Sequence, residues 1–372
     1  MLELCKKCID RLGISADVKE VEGSECMLCL GLLWRTEEIA RQIAESLEEY
    51  EFDTFQIGSR LEGSVKALEE YIFEKYGLTT EKSLKYHFNR ELTKAFAALT
   101  GKSPDREPDV TIIYNIEKMD YETRIASLYI YGRYKKRVRN IPQTRWLCSA
   151  CDGKGCEVCG FTGKRYPTSV EELIAEPCRR MAEGSYAVLH GAGREDVDAR
   201  MLGNGRPFIV EIQNPKKRHI DLEKLEEIIN REARGKVAVC CMKFAKARDV
   251  AFIKNAKFRK VYRAIVEFDR EVSREELEDA LKVLSNRVIE QYTPKRVEHR
   301  RANLLRKRRT YGIKLLLHRG NKAVIEIEAE SGLYIKELVS GDEGRTRPSL
   351  SEVLNNYAKV VKLDVIRVEG GI

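Results

Sequence analysis

The chain lacks several features that would assign it to a function class at once. No apolar run approaches the roughly 18 residues that a membrane span requires. Residues Met1 to Asp10 lack the apolar segment of a secretory signal. There is no Walker-type phosphate loop. The stretch Gly191-Ala-Gly193-Arg-Glu-Asp lacks the third glycine of a dinucleotide fingerprint and does not lead into a clean helix. Membrane and secreted classes are therefore set aside, and a cytoplasmic protein is expected. Any reaction is expected to consume no nucleoside triphosphate and to use no dinucleotide. Glutamine is scarce, at five residues, while charged residues reach 34%, a bias that leans towards a thermophile.

With 372 residues, the chain has room for two or three domains and a sizeable core. Lysine plus arginine is 67 and aspartate plus glutamate is 59, a net charge of +8. Eight of the 11 cysteines fall in CxxC pairs: Cys5/Cys8, Cys26/Cys29, Cys148/Cys151 and Cys156/Cys159. Two thiolates two residues apart can wrap one tetrahedral ion, and two such pairs close a four-cysteine shell. The spacing predicts two structural zinc ions, one per quartet, with redox pairs or disulfides as the bland alternative. Neither quartet offers a histidine or an open position, so no metal chemistry is expected. Cys178, Cys240 and Cys241 are read as small buried residues.

Four stretches follow. Residues 1–33 form an N-terminal zinc-binding segment. Residues 34–145 open with an acidic helical run, Glu37 to Glu51, with Ile39, Ile43 and Leu47 at helical spacing. A second helix is expected around Val65 to Lys75, and strands over Asp109–Ile116 and Ile125–Tyr134. Residues 146–165 form the second cysteine module. Residues 166–372 hold a strand at Val261–Phe268, a capping box of Ser273 and Glu276, and a helix opened by Ser349. Strands and helices mix without regular parallel βαβ units. The fold class is α+β, with a mixed, largely antiparallel sheet.

Between Lys295 and Arg309 there are eight Lys/Arg and one Glu, a local net of +7. The bland reading is a solvated face. So few interleaved carboxylates favour a phosphate-backbone contact instead. Tyr292, Tyr311 and His299 lie close enough in sequence to add stacking.

The most unusual stretch runs from Gly191 through Asp196, Gly203 and Arg206 to Phe208: glycine-rich, charged and poor in apolar residues. Alone it reads as a surface loop. Lys260-Val-Tyr262-Arg-Ala and Gly332-Leu-Tyr334-Ile-Lys336-Glu-Leu change that balance. Together the three stretches resemble the shared motifs of pseudouridine synthases, in the same order. The fuller strings, including Gln291-Tyr-Thr-Pro294 with His299-Arg-Arg, are similar to the archaeal tRNA enzymes of that family acting at tRNA positions 54 and 55. That resemblance spans nearly the whole chain and implies a THUMP-type RNA-binding domain over 34–145 and a catalytic domain over 166–372.

The resemblance also implies roles. Asp196 matches the catalytic aspartate, with Asp198 its nearby rival. Tyr262 matches the tyrosine that stacks on the target base, and Lys336 the cation that keeps the aspartate ionised. Arg194, Arg206, Lys295, Arg296, Arg300, Arg301 and Tyr334 are expected to contact RNA. The implied chemistry breaks the uridine N-glycosidic bond, turns the uracil and rejoins it through carbon, with no organic cofactor. The partner is the T arm of tRNA. The competing readings are a zinc-bearing RNA-binding protein without catalysis and a different THUMP-linked tRNA modification enzyme.

Overall fold

The computed structural model describes residues 1–300 and 302–372, without the side chains of His299 and Arg300. Arg301 and the Arg300 side chain, both expected to contact RNA, and the His299 ring lie outside the described residues. The chain divides into two compact units, one built mainly from Met1–Leu128 and one from most of Tyr129–Ile372. No helix among the described residues is long and apolar enough to cross a membrane.

In the first unit, parallel strands Leu2–Cys5 and Val18–Val21 pair beside the first cysteine quartet. A four-stranded sheet follows, in the order Ser103–Pro104, Thr54–Arg60, Val110–Asn115, Asp120–Ile125. The helix Leu84–Thr100 starts where the Ser83 side chain accepts the Tyr86 N–H and stops at Gly101 in the left-handed region. Leu84, Phe88, Leu92 and Phe96 recur every four residues on its buried stripe. Phe96 packs edge-on to Phe55 of the sheet with ring centroids 4.8 Å apart. Each such buried ring contributes on the order of 2–3 kcal/mol.

In the second unit ten strands share one sheet. Its path runs Val237–Ala245, Leu128–Lys136, Arg200–Gln213, Ala358–Val368, Lys260–Phe268, Lys322–Ala329, Arg306–Arg319, Val288–Gln291, Thr346–Arg347, with Tyr186–Gly191 paired to Arg200–Gln213. Lys260–Phe268 is antiparallel to both its neighbours. Ala358–Val368 meets Arg200–Gln213 in a parallel pairing, Asp364 opposite Arg200. That junction is clamped by charge: the Arg200 Nη2 and Arg139 Nη2 groups each donate to Asp364 at 2.6 Å.

One expected strand is two. The run Ile125–Tyr134 breaks at Ala126 and Ser127, and Leu128–Lys136 joins the large sheet. The expected capping box of Ser273 and Glu276 is present, and Ser349 opens its helix by accepting the Glu352 N–H.

Candidate active site

Asp196 lies on the loop between Tyr186–Gly191 and Arg200–Gln213. Its carboxylate meets Arg296 Nη1 at 3.2 Å and Lys336 Nζ at 3.5 Å. Burial pushes its pKa up, but Arg296 and then Lys336 outweigh that and hold it below the usual carboxylate value. Lys336 sits in the helix Ile335–Ser340, which buries Ile335, Leu338 and Val339. That anchoring leaves the lysine to reach across to the loop. The Gln291 side chain brackets the start of the helix, accepting the Tyr334 N–H at 2.9 Å and donating to the Tyr334 carbonyl at 3.0 Å. Lys336 also binds Asp198 at 2.8 Å, so the rival aspartate shares the same cation. Asp198 is the more exposed of the two, 59% against 35%.

Below the loop is a group of buried charges. Glu195 is 0% exposed and accepts from Arg206 Nε at 3.0 Å and from the Tyr134 hydroxyl at 2.8 Å. Lys136 Nζ lies 3.8 Å from Glu195 and donates to the carbonyls of Ile141, Asp196 and Val197. Gln143 donates to the Tyr134 oxygen and to the Gly193 carbonyl. Three side chains, Arg206, Gln143 and Lys136, thus hold the backbone of residues 192–197 from beneath, linked through Glu195 and Tyr134. Arg206, expected to contact RNA, is 1% exposed and donates instead to Glu195 and to the Ala192 carbonyl at 2.8 Å. It positions the loop.

Tyr262 is 9% exposed. It follows Lys260 by two positions, so both side chains leave the same face of their strand. Burial pushes the Tyr262 phenol up to about 12, partly offset by Arg206. Asp196, Tyr262, Lys336, Arg194, Arg296 and Tyr334 all line one cavity of about 440 Å³. Arg194 lies over the Trp146 ring at 5.9 Å. Arg296 lies 6.0 Å from the Tyr334 ring centroid and donates to Glu337 at 2.6 Å.

The basic stretch is less bare than its local composition suggests. Lys295 pairs with Glu343, Arg296 with Glu337, Lys307 with Glu290 and Arg308 with Glu330. All four acids come from outside the segment. From sequence, no site role falls to Glu195, Lys136, Tyr134, Gln143 or Lys260, although Lys260 stands in one of the motifs. A run of cations at 135–139 gives no sign that one of them is fully buried.

The eight paired cysteines form two tetrads whose sulfurs lie within 4.8 Å of one another. The separations include 3.6 Å for Cys5–Cys29 and 3.8 Å for Cys156–Cys159. Four thiolates around one zinc would stand about 3.8 Å apart, so both tetrads could hold a metal ion. Backbone N–H groups of Gly155 and Gly163 point at the sulfurs of Cys151 and Cys159. Gly163 must be glycine, because a Cβ there would lie 2.2 Å from the Gly153 carbonyl oxygen. Of the other three cysteines, Cys178 is buried as expected. Cys240 is half-buried and Cys241 is exposed, where a register shift after Cys240 turns the strand at the sheet edge.

Residues 129–369 match the family described as Pus10, C-terminal, and residues 39–115 match the Pus10 THUMP domain of archaea. The chain is 50% identical to the tRNA pseudouridine synthase Pus10 of Archaeoglobus fulgidus over 99% of this chain and 100% of that protein. Against the protein of the same name from Methanothrix thermoacetophila the identity is 43%, over 98% of this chain and 80% of that one. A solved Cbf5–Nop10–Gar1 complex aligns with 51% of this chain and 43% of its own at 17% identity and a TM-score of 0.33, too low to bear on the fold.

Proposed function

The chain belongs to the Pus10 family of tRNA pseudouridine synthases, and from that premise we propose that it isomerises T-arm uridines, at tRNA positions 54 and 55, through Asp196. The observation that carries this reading is the Asp196 carboxylate, kept ionised between Arg296 and Lys336 at the cavity wall. An ionised carboxylate is the group needed where a sugar carbon becomes electron-poor.

The uridine swings out of its stack into the cavity, at a cost of a few kcal/mol that is smallest for a loop nucleotide. Tyr262 stacks on the uracil. The C1′–N1 bond breaks and N1 keeps the electron pair, while Asp196 bonds to or shields C1′. The uracil turns, C5 bonds to C1′ and releases Asp196, the C5 proton leaves, and N1 takes up a proton. Electrons balance within the nucleotide, so no organic cofactor is required. Lys336 and Arg296 hold Asp196 ionised until it acts, and stabilise it again once it is released. Arg194, Arg306 and Arg308 on the cavity wall take RNA phosphates.

In this reading each tetrad carries one structural zinc. Elemental analysis of natively purified protein is expected to give two zinc per chain, and finding none would move the cysteines to disulfides. The test of the reaction is carbodiimide labelling of an unmodified tRNA transcript after incubation with pure protein. New label at positions 54 and 55, absent with Asp196→Asn at unchanged tRNA affinity, is the expected result. Normal product from Asp196→Asn would refute the role of the aspartate.

A further inference from the structure

Lys260 is the one lysine of the cavity wall that the reading above leaves without a task. It is 7% exposed and lines the cavity from the same strand face as Tyr262. Its Nζ makes one hydrogen bond, to Ser331 Oγ at 3.2 Å. Among the described residues no carboxylate lies within ion-pair distance of it. An ammonium carries three N–H donors, so two stay without a protein acceptor in a buried position, where polar groups are almost always paired. The loop carrying Asp196 passes directly over it. Gly193 sits in the left-handed region at φ 79°, and a Cβ there would lie 3.0 Å from Lys260 Nζ and 3.2 Å from Arg206 Nη1. The one buried carboxylate nearby, Glu195, is already committed to Arg206 and Tyr134.

We infer that Lys260 is a further catalytic residue: its ammonium donates to a carbonyl oxygen of the everted uracil and stabilises the uracil anion left when the C1′–N1 bond breaks. This rests on the role of Asp196 proposed above. The bond electrons settle on N1 and spread to the two carbonyl oxygens, and the free N–H donors of Lys260 meet one of them. The charge is neutralised when C5 bonds to C1′; C5 then loses its proton and N1 takes one up, so the product is neutral. Fixed donors aimed at developing charge in a dry site are the strongest form of such help.

The charged and titratable groups that line the cavity with Lys260 are Arg206 from Arg200–Gln213, Arg194, Glu195 and Asp196 from the loop, Tyr262 from its own strand, Arg296, Arg306 and Arg308 from the basic stretch, and Tyr334 and Lys336. Burial, and then Arg206, push its pKa down to about 7, with Glu195 opposing. The ammonium is therefore full below that pH and lost above it. Wild-type kcat/KM is expected to decline as pH rises past about 7.

Single-turnover assays on the unmodified transcript test this. Lys260→Met is expected to lose about 100-fold in rate, with tRNA affinity within twofold of wild type. Its residual activity should lack the alkaline decline. A loss under threefold, or a residual activity with the same decline, would overturn the inference. Should the variant fold poorly, the wild-type profile decides: a flat profile from pH 6 to 9 overturns it and a decline past pH 7 upholds it. Asp196→Asn run alongside separates the two ideas. An inert Asp196→Asn with an unaffected Lys260→Met sinks only Lys260, whereas an active Asp196→Asn sinks the reading beneath it.

Discussion

Glu195 and Asp196 are adjacent in the chain, and the structure sends them to opposite environments. Glu195 goes down into a floor where Arg206, Tyr134 and Lys136 leave it no solvent. Asp196 stays on a rim, about a third exposed, between two cations that are themselves partly in water. The floor fixes the backbone of the loop, and the rim presents one carboxylate to whatever enters the cavity. A site that must bind an incoming nucleotide cannot bury its reactive group, so rigidity has to come from the residue next to it.

Substitutions at the two neighbours should therefore separate activity from stability. The largest effect expected is at the rim. Asp196→Asn should cost roughly 10⁴-fold in single-turnover rate while shifting the urea midpoint by the equivalent of no more than about 1 kcal/mol, as partly exposed ion pairs do. A melt as damaged as the activity would erase the distinction. At the floor, Glu195→Gln leaves Arg206 and Lys136 as buried charges without a counter-charge. The expected loss is about 3–5 kcal/mol of stability, read by urea unfolding. A near-neutral result would mean that the floor does not hold the loop.

The smallest effect concerns pH. Asp196 is depressed by Arg296 and Lys336, so it ionises at lower pH than a free carboxylate. Activity that depends on its charge is retained as pH falls through the ordinary carboxylate range and is lost only below it. Lys336→Met removes one of the two cations and should move that acid limb of kcat upward. An unmoved limb would assign the depression to Arg296 alone.

The contrast also explains what could be read from sequence. The two tetrads were legible because each pair of ligands is local, two residues apart, and the ion needs only two pairs. Asp196, Tyr262 and Lys336 were legible through short motifs. The floor was not. Its members, from Tyr134 to Arg206, come from two strands and two loops, and a charge such as Lys136 among Lys135, Arg137 and Arg139 reads as surface. The charge of residues 295–309 was overstated for the same reason, since Glu290, Glu330, Glu337 and Glu343 are supplied from beyond the segment. The helix Leu84–Thr100 is a different case. Its four-residue apolar spacing is plain in the sequence, yet it is not among the elements expected above.

The parallel junction between Arg200–Gln213 and Ala358–Val368 has a consequence for synthesis. The strand at the middle of the ten-stranded sheet is the last of the ten to be made. A nascent chain that has not yet cleared the ribosome to Val368 has two half-sheets with a gap between them. Arg139 and Arg200 then have no Asp364 to clamp. The cavity is consequently assembled only once Ala358–Val368 has emerged, so a translation product stalled before that strand would be unable to modify RNA.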